Sequence, residues 1–241
     1  MSYGEIATYP ELLGYYKFNG NANDSGSYGR DMTAVGPLTY SNGRYGQGIQ
    51  LAVTPTYVEA YDYCYFNNNM GIDGGPVTIS IWVKNPTWPG NFPDVGGFSI
   101  FINQWSANSC NGYRIWLAET GLYFTRDLYN IRSDEANYSG YRLYREKFSH
   151  LVLTYDGAYI MGYVDGVLKA LPVASTGSGV GSVPNVTTIG AFTWDAITWN
   201  HQPSNTTIDE VIIEGRAWSA TEIQKYYSQA VGRFCPKEIT L

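Results

Sequence analysis

Two Asp-Gly pairs, nine residues apart, constrain the fold of this chain more than any other feature. They are Asp156-Gly157 and Asp165-Gly166, within FSHLVLTYDGAYIMGYVDGVLKA at residues 148–170. Ahead of the first pair, the residues from Leu151 to Tyr155 alternate between larger apolar and smaller side chains, as in a strand with one buried face. Asp-Gly tolerates positive φ and therefore favours a tight hairpin turn. The stretch predicts an antiparallel three-stranded meander, because a helix would contain both turns.

Further runs of β-branched and aromatic residues predict strands in the rest of the chain. They lie at residues 13–18, 46–51, 78–84, 98–104, 113–117, 122–126, 186–190 and 207–214. The charged segment 127–147 is expected to be a solvated excursion. One helix is predicted after Ser219, because Glu222 follows three residues later and completes a capping box.

These elements predict a single all-β domain, an antiparallel two-sheet β-sandwich of jelly-roll size with one short C-terminal helix. We expect an N-terminal arm at residues 1–12, the sandwich at 13–229 and a C-terminal tail at 230–241.

Composition and charge limit the classes of partner. Charged residues make up 15% of the 241 residues, and Tyr (22) and Gly (27) are abundant, which suits either an adaptable contact surface or a sandwich with many loops. The net charge of −6 and the lack of a basic run argue against a nucleic-acid partner. No apolar run reaches the roughly 18 residues that span a bilayer, so we expect no membrane insertion.

The N-terminal sequence lacks the basic and apolar regions of a secretory signal. This predicts either a signal trimmed from the chain or another route of release, such as a virus particle freed by lysis. Cys64, Cys110 and Cys235 form an odd set without CxxC spacing, which favours buried free thiols, although one bridged pair stays open.

Several stretches, taken in chain order, resemble one known family. They are LLGYYKFNGNANDSG at 12–26, GRYGQGIQL at 43–51, TISIWVK at 78–84, FSHLVLTYDG with GYVDG at 148–166, and TTIDEVIIEGRAWSATEIQKYY at 206–227. The chain resembles the laminin-G-like domains of the concanavalin A-like lectin/glucanase superfamily across residues 12–228. The resemblance implies a concanavalin A-like jelly roll. Phe148 and Ser149 depart from the Trp and His that are common in that family.

The acids that glucanases of this superfamily use are incomplete here. Those enzymes carry Glu-x-Asp-x-Glu or Glu-x-Asp-x-x-Glu on one strand, whereas this chain has Asp209-Glu210 with Glu214, and Thr207 at the first Glu position. Alternation along a strand predicts that Asp209 and Glu210 point to opposite faces. His150 is expected to be a packed strand residue. We therefore predict that the chain is not an enzyme.

A structural Ca²⁺ is one interpretation of the loop after the first strand. Asn19, Asn21, Asp24 and Ser25 offer the oxygen ligands that calcium prefers. The resemblance adds Asp209 of the last strand to this set. The alternative is a turn in which these side chains bond to their own backbone, and the sequence leaves both open.

Two aromatic clusters predict a glycan-binding surface, because sugar rings stack on aromatic faces while Asn, Asp and Gln bond to hydroxyls. The residues are Trp194, Asp195, Trp199, Asn200 and His201 in a predicted loop at 191–206, and Tyr61, Tyr63 and Tyr65 in a predicted irregular stretch at 54–75. Either cluster could instead lie in the core or at a subunit interface.

The sequence thus predicts a non-catalytic recognition or adhesion module that binds a glycan or a partner protein, extracellular or exposed on a surface. The alternative is a structural decoration, spike or fibre subunit of a virus particle or surface assembly, with homo-oligomeric or other assembly neighbours. A glycosidase is a distant third.

Overall fold

The structure is a computed structural model that describes residues 11–51, 62–68, 70, 72, 74–84, 99–105, 112–118, 121–128, 131–139, 147–175, 186–191 and 206–232. These residues form fifteen strands and one helix. The strands are β1 Leu12–Tyr16, β2 Thr33–Val35, β3 Thr39–Asn42, β4 Gln47–Leu51, β5 Tyr63–Phe66, β6 Val77–Lys84, β7 Ser99–Trp105, β8 Gly112–Ala118, β9 Gly121–Leu128, β10 Ile131–Ser139, β11 Phe148–Tyr155, β12 Tyr159–Val164, β13 Val167–Ala174, β14 Val186–Ile189 and β15 Thr206–Glu214. The helix α1 is Ala220–Gly232.

The strands form two antiparallel sheets. Sheet A has the order β13-β12-β11-β6-β15-β4-β3, with β1 also paired to β15. Sheet B has the order β10-β9-β8-β7-β14-β5-β2. The predicted antiparallel β-sandwich with a C-terminal helix is confirmed.

Alternation along the strands places one apolar row of each sheet in a shared core. Sheet A contributes residues such as Ile79, Ile81 and Leu153, and sheet B contributes residues such as Ile115 and Phe124, all essentially inaccessible to solvent. Burial of these side chains from water is the main favourable contribution to folding.

Helix α1 covers the outer face of sheet A. A second apolar cluster there joins Val152 and Ile212 of the sheet to Trp218 and to Ile223 and Tyr226 of the helix. Strand β6 is therefore buried on both faces, which explains why seven of its eight residues are buried. Among the residues that the structure describes, no helix is long and apolar enough to cross a membrane.

The meander is confirmed in detail. Tyr155 of β11 pairs with Ile160 of β12, and Val164 of β12 pairs with Val167 of β13. Gly157 has a φ of 101°, and Asp165 and Gly166 have φ values of 51° and 79°. The left-handed conformation at both central residues of the second turn is what a two-residue hairpin connection requires.

Two sequence predictions are wrong. The segment 127–147 is not simply a solvated excursion, since Ile131–Ser139 forms the edge strand of sheet B and pairs with β9. Tyr63 and Tyr65 do not lie in an irregular loop, because Tyr63–Phe66 forms strand β5. Strand β1 is also placed slightly earlier, at Leu12–Tyr16 and not at 13–18.

Candidate ligand-binding face

The outer face of sheet B carries aromatic, cationic and hydroxyl side chains. On β8 and β9 the residues Ile115, Leu117, Leu122 and Phe124 point into the core. The residues that alternate with them therefore face outward. These outward residues are Arg114, Trp116, Tyr123 and Thr125.

Trp116 and Tyr123 form a stacked pair at the centre of this face. They are opposite each other in the ladder, with ring centroids 4.3 Å apart and ring planes 15° from parallel. The indole N–H of Trp116 donates to Thr125 Oγ1 at 2.8 Å, which fixes the orientation of the ring. Trp116 is partly exposed, whereas Tyr123 is 8% exposed. The Trp116 ring is therefore fixed in one orientation and cannot rotate freely.

A row of polar positions crosses the same sheet at one level. Tyr65 of β5 is paired with Thr188 of β14, and Arg114 of β8 with Thr125 of β9. Between them, Asn103 of β7 pairs through its backbone with both Thr188 and Arg114. At about 4.8 Å per strand the two partly exposed residues of the row, Tyr65 and Arg114, are about 14 Å apart, and Thr188 between them is fully buried.

The predicted tyrosines differ in environment. Tyr63 is 2% exposed and packs against Ala191, with Val35 and Tyr65 at the edge of that cluster. Tyr65 is partly exposed, and its ring lies 6.3 Å from that of Tyr63. Of the two, Tyr65 is therefore the one placed to contact a ligand. The other predicted ligand-binding residues, Tyr61, Trp194, Asp195, Trp199, Asn200 and His201, lie outside the described residues.

The proposed calcium ligands mostly bond to backbone amides. Asp24 Oδ1 accepts from Tyr15 N and Gly26 N at 2.9 and 2.8 Å, and Asp24 Oδ2 accepts from Arg30 N at 3.0 Å. Asn21 Oδ1 accepts from Asn23 N at 3.0 Å.

Asn19 and Asp209 instead hold the turn between β3 and β4, through Gln47 N at 2.8 Å and Tyr45 N at 2.9 Å respectively. Ser25 donates its backbone N–H to Tyr15 O at 2.7 Å. No group of three or more His, Cys, Asp or Glu residues in the described part of the chain could hold a metal. These contacts give the loop a turn-stabilising role, and bound calcium stays a prediction.

The acids of β15 are buried, and one prediction about them is wrong. A bulge between Asp209 and Ile212 shifts the register against β6. Ile208 and Val211 both face the core, so Asp209 and Glu210 both lie on the outer face of sheet A, not on opposite faces. Glu210 accepts a short hydrogen bond from Tyr15 Oη.

The bulge has a structural cause. The other edge of β15 pairs with β4 through residue 208 and with β1 from residue 211 onward, so the register changes where one partner replaces the other. Asp209 and Glu210 are 0% and 2% exposed, beneath the elements that cover this face.

His150 and Glu214 are structural as well. His150, as predicted, is a packed strand residue, stacked on Trp82 with ring centroids 4.8 Å apart and with Nε2 2.8 Å from Ser80 Oγ. Burial and the Arg44 charge lower the pKa of His150 to about 3. Glu214 accepts from Trp218 Nε1 at 2.6 Å and pairs with Arg216 Nε at 2.9 Å.

Two packed antiparallel sheets with a helix on the outer face of sheet A define a concanavalin A-like β-sandwich. The chain is a member of the concanavalin A-like lectin/glucanases superfamily, whose family model matches residues 58–224. A comparison with curated protein sequences gave no match.

Solved structures share the fold at low sequence identity. The botulinum neurotoxin serotype G binding domain has a TM-score of 0.68 at 15% identity, covering 90% of this chain and 51% of that one. A structure of botulinum neurotoxin type C, a toxin whose cell entry depends on interaction with two ganglioside molecules, has a TM-score of 0.71 at 15% identity. The match covers 95% of this chain and 53% of that one. This chain thus spans about half the length of those toxin chains.

The third structure is similar over its whole length. It is domain 4 of AbnA, a GH43 extracellular arabinanase from Geobacillus stearothermophilus in complex with arabinotriose, with a TM-score of 0.63 at 17% identity, covering 89% of this chain and 97% of that one.

Trp116, Tyr123 and Arg114 were not among the site residues predicted from the sequence. The signal was present, because Arg114 and Trp116 alternate with the apolar residues of YRIWL in a predicted strand. Alternation predicts that the side chains of such residues point away from the core. It does not show that Tyr123 of the next strand stacks on Trp116.

Proposed function

We propose that this chain is a non-catalytic binding module that takes a glycan on the outer face of sheet B. The observation that carries the proposal is the partly exposed Trp116 ring, stacked on Tyr123 and fixed through Thr125. A sugar ring can stack its C–H face on this indole, while the partly exposed side chains of Arg114 and Tyr65 supply polar contacts. The ganglioside and arabinotriose associations of similar folds support a carbohydrate ligand.

The buried acids support a module without hydrolytic activity. A retaining or inverting glycosidase needs two carboxyl groups that reach the scissile bond. Asp209, Glu210 and Glu214 are each at most 2% exposed. A polysaccharide-release assay on the purified chain should therefore detect no product.

A glycan array followed by calorimetry on the best ligand tests the proposal. Trp116→Ala should weaken binding about tenfold or more, since lost stacking of about 1.4 kcal/mol corresponds to a factor of ten. Tyr28→Ala is the matched control, because Tyr28 is an exposed aromatic (51%) outside the strands. Wild-type affinity in a folded Trp116→Ala variant would exclude this face. Loss of binding in Trp194→Ala or Trp199→Ala instead would assign the ligand to the loop that contains them.

An exposed apolar strip on the edge strand β13 favours a second candidate, an assembly subunit. Val167, Leu168 and Leu171 are 51%, 37% and 74% exposed, and exposed apolar residues on an unpaired sheet edge suit pairing with another chain. Light scattering during size-exclusion chromatography would then give an oligomer that dissociates in Leu171→Lys. A monomer at all concentrations would exclude self-assembly through β13.

A further inference from the structure

Arg126 is a buried cation inside the sandwich, separate from the outer face of sheet B. It lies on β9 and continues the inward-facing row of Leu122 and Phe124. Its side chain is 1% exposed. It lies near the end of the core where β11 ends at Tyr155 and β13 is followed by Ser175.

The contacts of Arg126 only partly compensate its charge. Nη1 donates to Ser175 Oγ, and the guanidinium carbon is 4.2 Å from the Tyr155 ring centroid and 5.9 Å from that of Tyr113. Nε is buried without a hydrogen-bond partner. Within the described part of the chain, the two ion pairs involve Arg216, and no carboxylate pairs with Arg126.

A guanidinium stays charged in proteins and offers five N–H donors. Burial of such a charge is costly unless it is paired and hydrogen-bonded. The ring faces of Tyr155 and Tyr113 stabilise the charge in part, but they cannot accept a hydrogen bond from the in-plane Nε–H. The remaining donor is oriented for an acceptor in the plane of the guanidinium.

We propose that Arg126, oriented by Ser175, binds an oxyanion of the carboxylate class. Nε and one Nη can donate in parallel to the two oxygens of a carboxylate, the geometry in which arginine binds this group most strongly. Ser175 Oγ accepts from Nη1 and so orients the guanidinium, which leaves Nε and Nη2 for the anion. Ser175 is itself fixed, because its backbone N donates to Ala158 O at 2.7 Å.

The test measures the melting temperature and calorimetric binding of the whole chain with sodium acetate or sodium glucuronate, against sodium chloride at matched ionic strength. Acetate represents a free small carboxylate and glucuronate an acidic sugar. Arg126→Met removes the charge while keeping an unbranched apolar side chain, and replacement of a buried charge by an apolar residue is often tolerated. Lys169→Met removes a positive charge from the exposed face of β13 and serves as the control.

We expect a saturable rise in melting temperature with one or both carboxylates in the wild type and in Lys169→Met, and its loss in Arg126→Met. Ser175→Ala should bind more weakly by less than about tenfold, because it removes the Nη1 contact that orients the guanidinium but no direct contact to the anion. Binding of glucuronate without acetate assigns the site to acidic sugars. No saturable shift in the wild type, or an equal shift in Arg126→Met, would overturn the proposal.

Asp134 gives a further test, because it is the ladder partner of Arg126 on β10. Carboxylate binding that occurs in Asp134→Asn but not in the wild type would identify Asp134 as the counter-ion. In that case the proposed ligand site would be wrong.

Discussion

At the scale of single residues, the bulge in β15 creates an unusual electrostatic site. Glu210 has a φ of 49°, a left-handed conformation that non-glycine residues seldom adopt. Burial, with the nearby Glu210 adding to it, raises the pKa of Asp209 to about 8, although hydrogen bonds from the Tyr45 and Glu210 amides oppose the shift. Asp209 is therefore mostly protonated at neutral pH and can share its buried position with Glu210.

This raised pKa predicts that the protein loses stability as the pH rises. The ordinary Asp pKa in an unfolded chain is about 3.9, so the folded state binds the Asp209 proton more tightly and its contribution falls as the pH approaches 8. His150 has the opposite sign, because its lowered pKa makes stability fall as the pH drops below its ordinary value of about 6.5. Above about pH 6.5, the effect of Asp209 on stability can therefore be measured without a contribution from His150.

Urea unfolding between pH 6.5 and 8.5 measures this effect. The wild-type free energy of unfolding should fall across the range, and Asp209→Asn should flatten the slope. That variant should also be about 1–3 kcal/mol less stable at pH 6.5, because its single side-chain oxygen cannot replace both acceptors. Asp31→Asn is the control, an exposed carboxylate that keeps an oxygen for the Asp24 amide. A slope unchanged by Asp209→Asn would contradict the assignment.

At the scale of elements, helix α1 is held at both ends. At its N-terminus, Ser219 N donates to Glu222 Oε2 at 2.8 Å and Glu222 N donates to Ser219 Oγ at 3.2 Å. This is the capping box that the sequence predicts. At the other end, Arg44 Nη2 and Tyr45 Oη donate to Ala230 O at 3.2 and 2.7 Å. A cation there also complements the helix dipole.

Ser219→Ala should destabilise the protein by about 1 kcal/mol, because it leaves a helix amide without its cap. Chemical denaturation gives the free energy, and hydrogen exchange should show the loss of protection concentrated in the first turn of α1. Ser219→Thr is the matched control, since Thr keeps a hydroxyl that can accept from Glu222 N and donate to Glu222 Oε2. Equal stability of the Ala variant and the wild type would mean that packing on sheet A holds this end without the cap.

At the scale of the whole molecule, a glycine lies where the two sheets are in close contact. Gly162 of β12 in sheet A faces Phe124 of β9 in sheet B, and a Cβ at position 162 would overlap the phenyl ring. Phe124 is fully buried, so its ring has little room to move. The missing side chain at Gly162 thus allows sheets A and B to pack closely at this point, and the residue is not part of a turn.

Gly162→Ala should therefore destabilise the fold by about 1–3 kcal/mol through overpacking. Gly215→Ala is the control, because a Cβ there would meet Leu13 at an ordinary 3.5 Å. Thermal unfolding of the two variants provides the comparison. If Gly162→Ala melts like the control, the sheets can shift apart at this point at little cost.

Features that depend on interactions between residues close in the sequence were predictable, and features that depend on residues far apart in the sequence were not. The Asp-Gly turns and the Ser219 cap were predictable because their physics is contained within a few neighbouring residues. Strand β10 was missed because its charged sequence, IRSDEANYS, suits an edge strand only once β9 lies beside it. The bulge at Asp209 was missed for a similar reason, since it arises where β15 exchanges β4 for β1.

The sequence by itself determined the antiparallel strands, the meander and the capped helix of this protein, because periodicity, turn residues and caps act locally. Only the tertiary structure decided that Trp116 stacks on Tyr123, that Asp209 and Glu210 share one face, and that Arg126 is buried beside Tyr155. Each of these juxtapositions depends on strand register or on packing between elements. Register and packing are set by the burial of the whole core and not by any one segment.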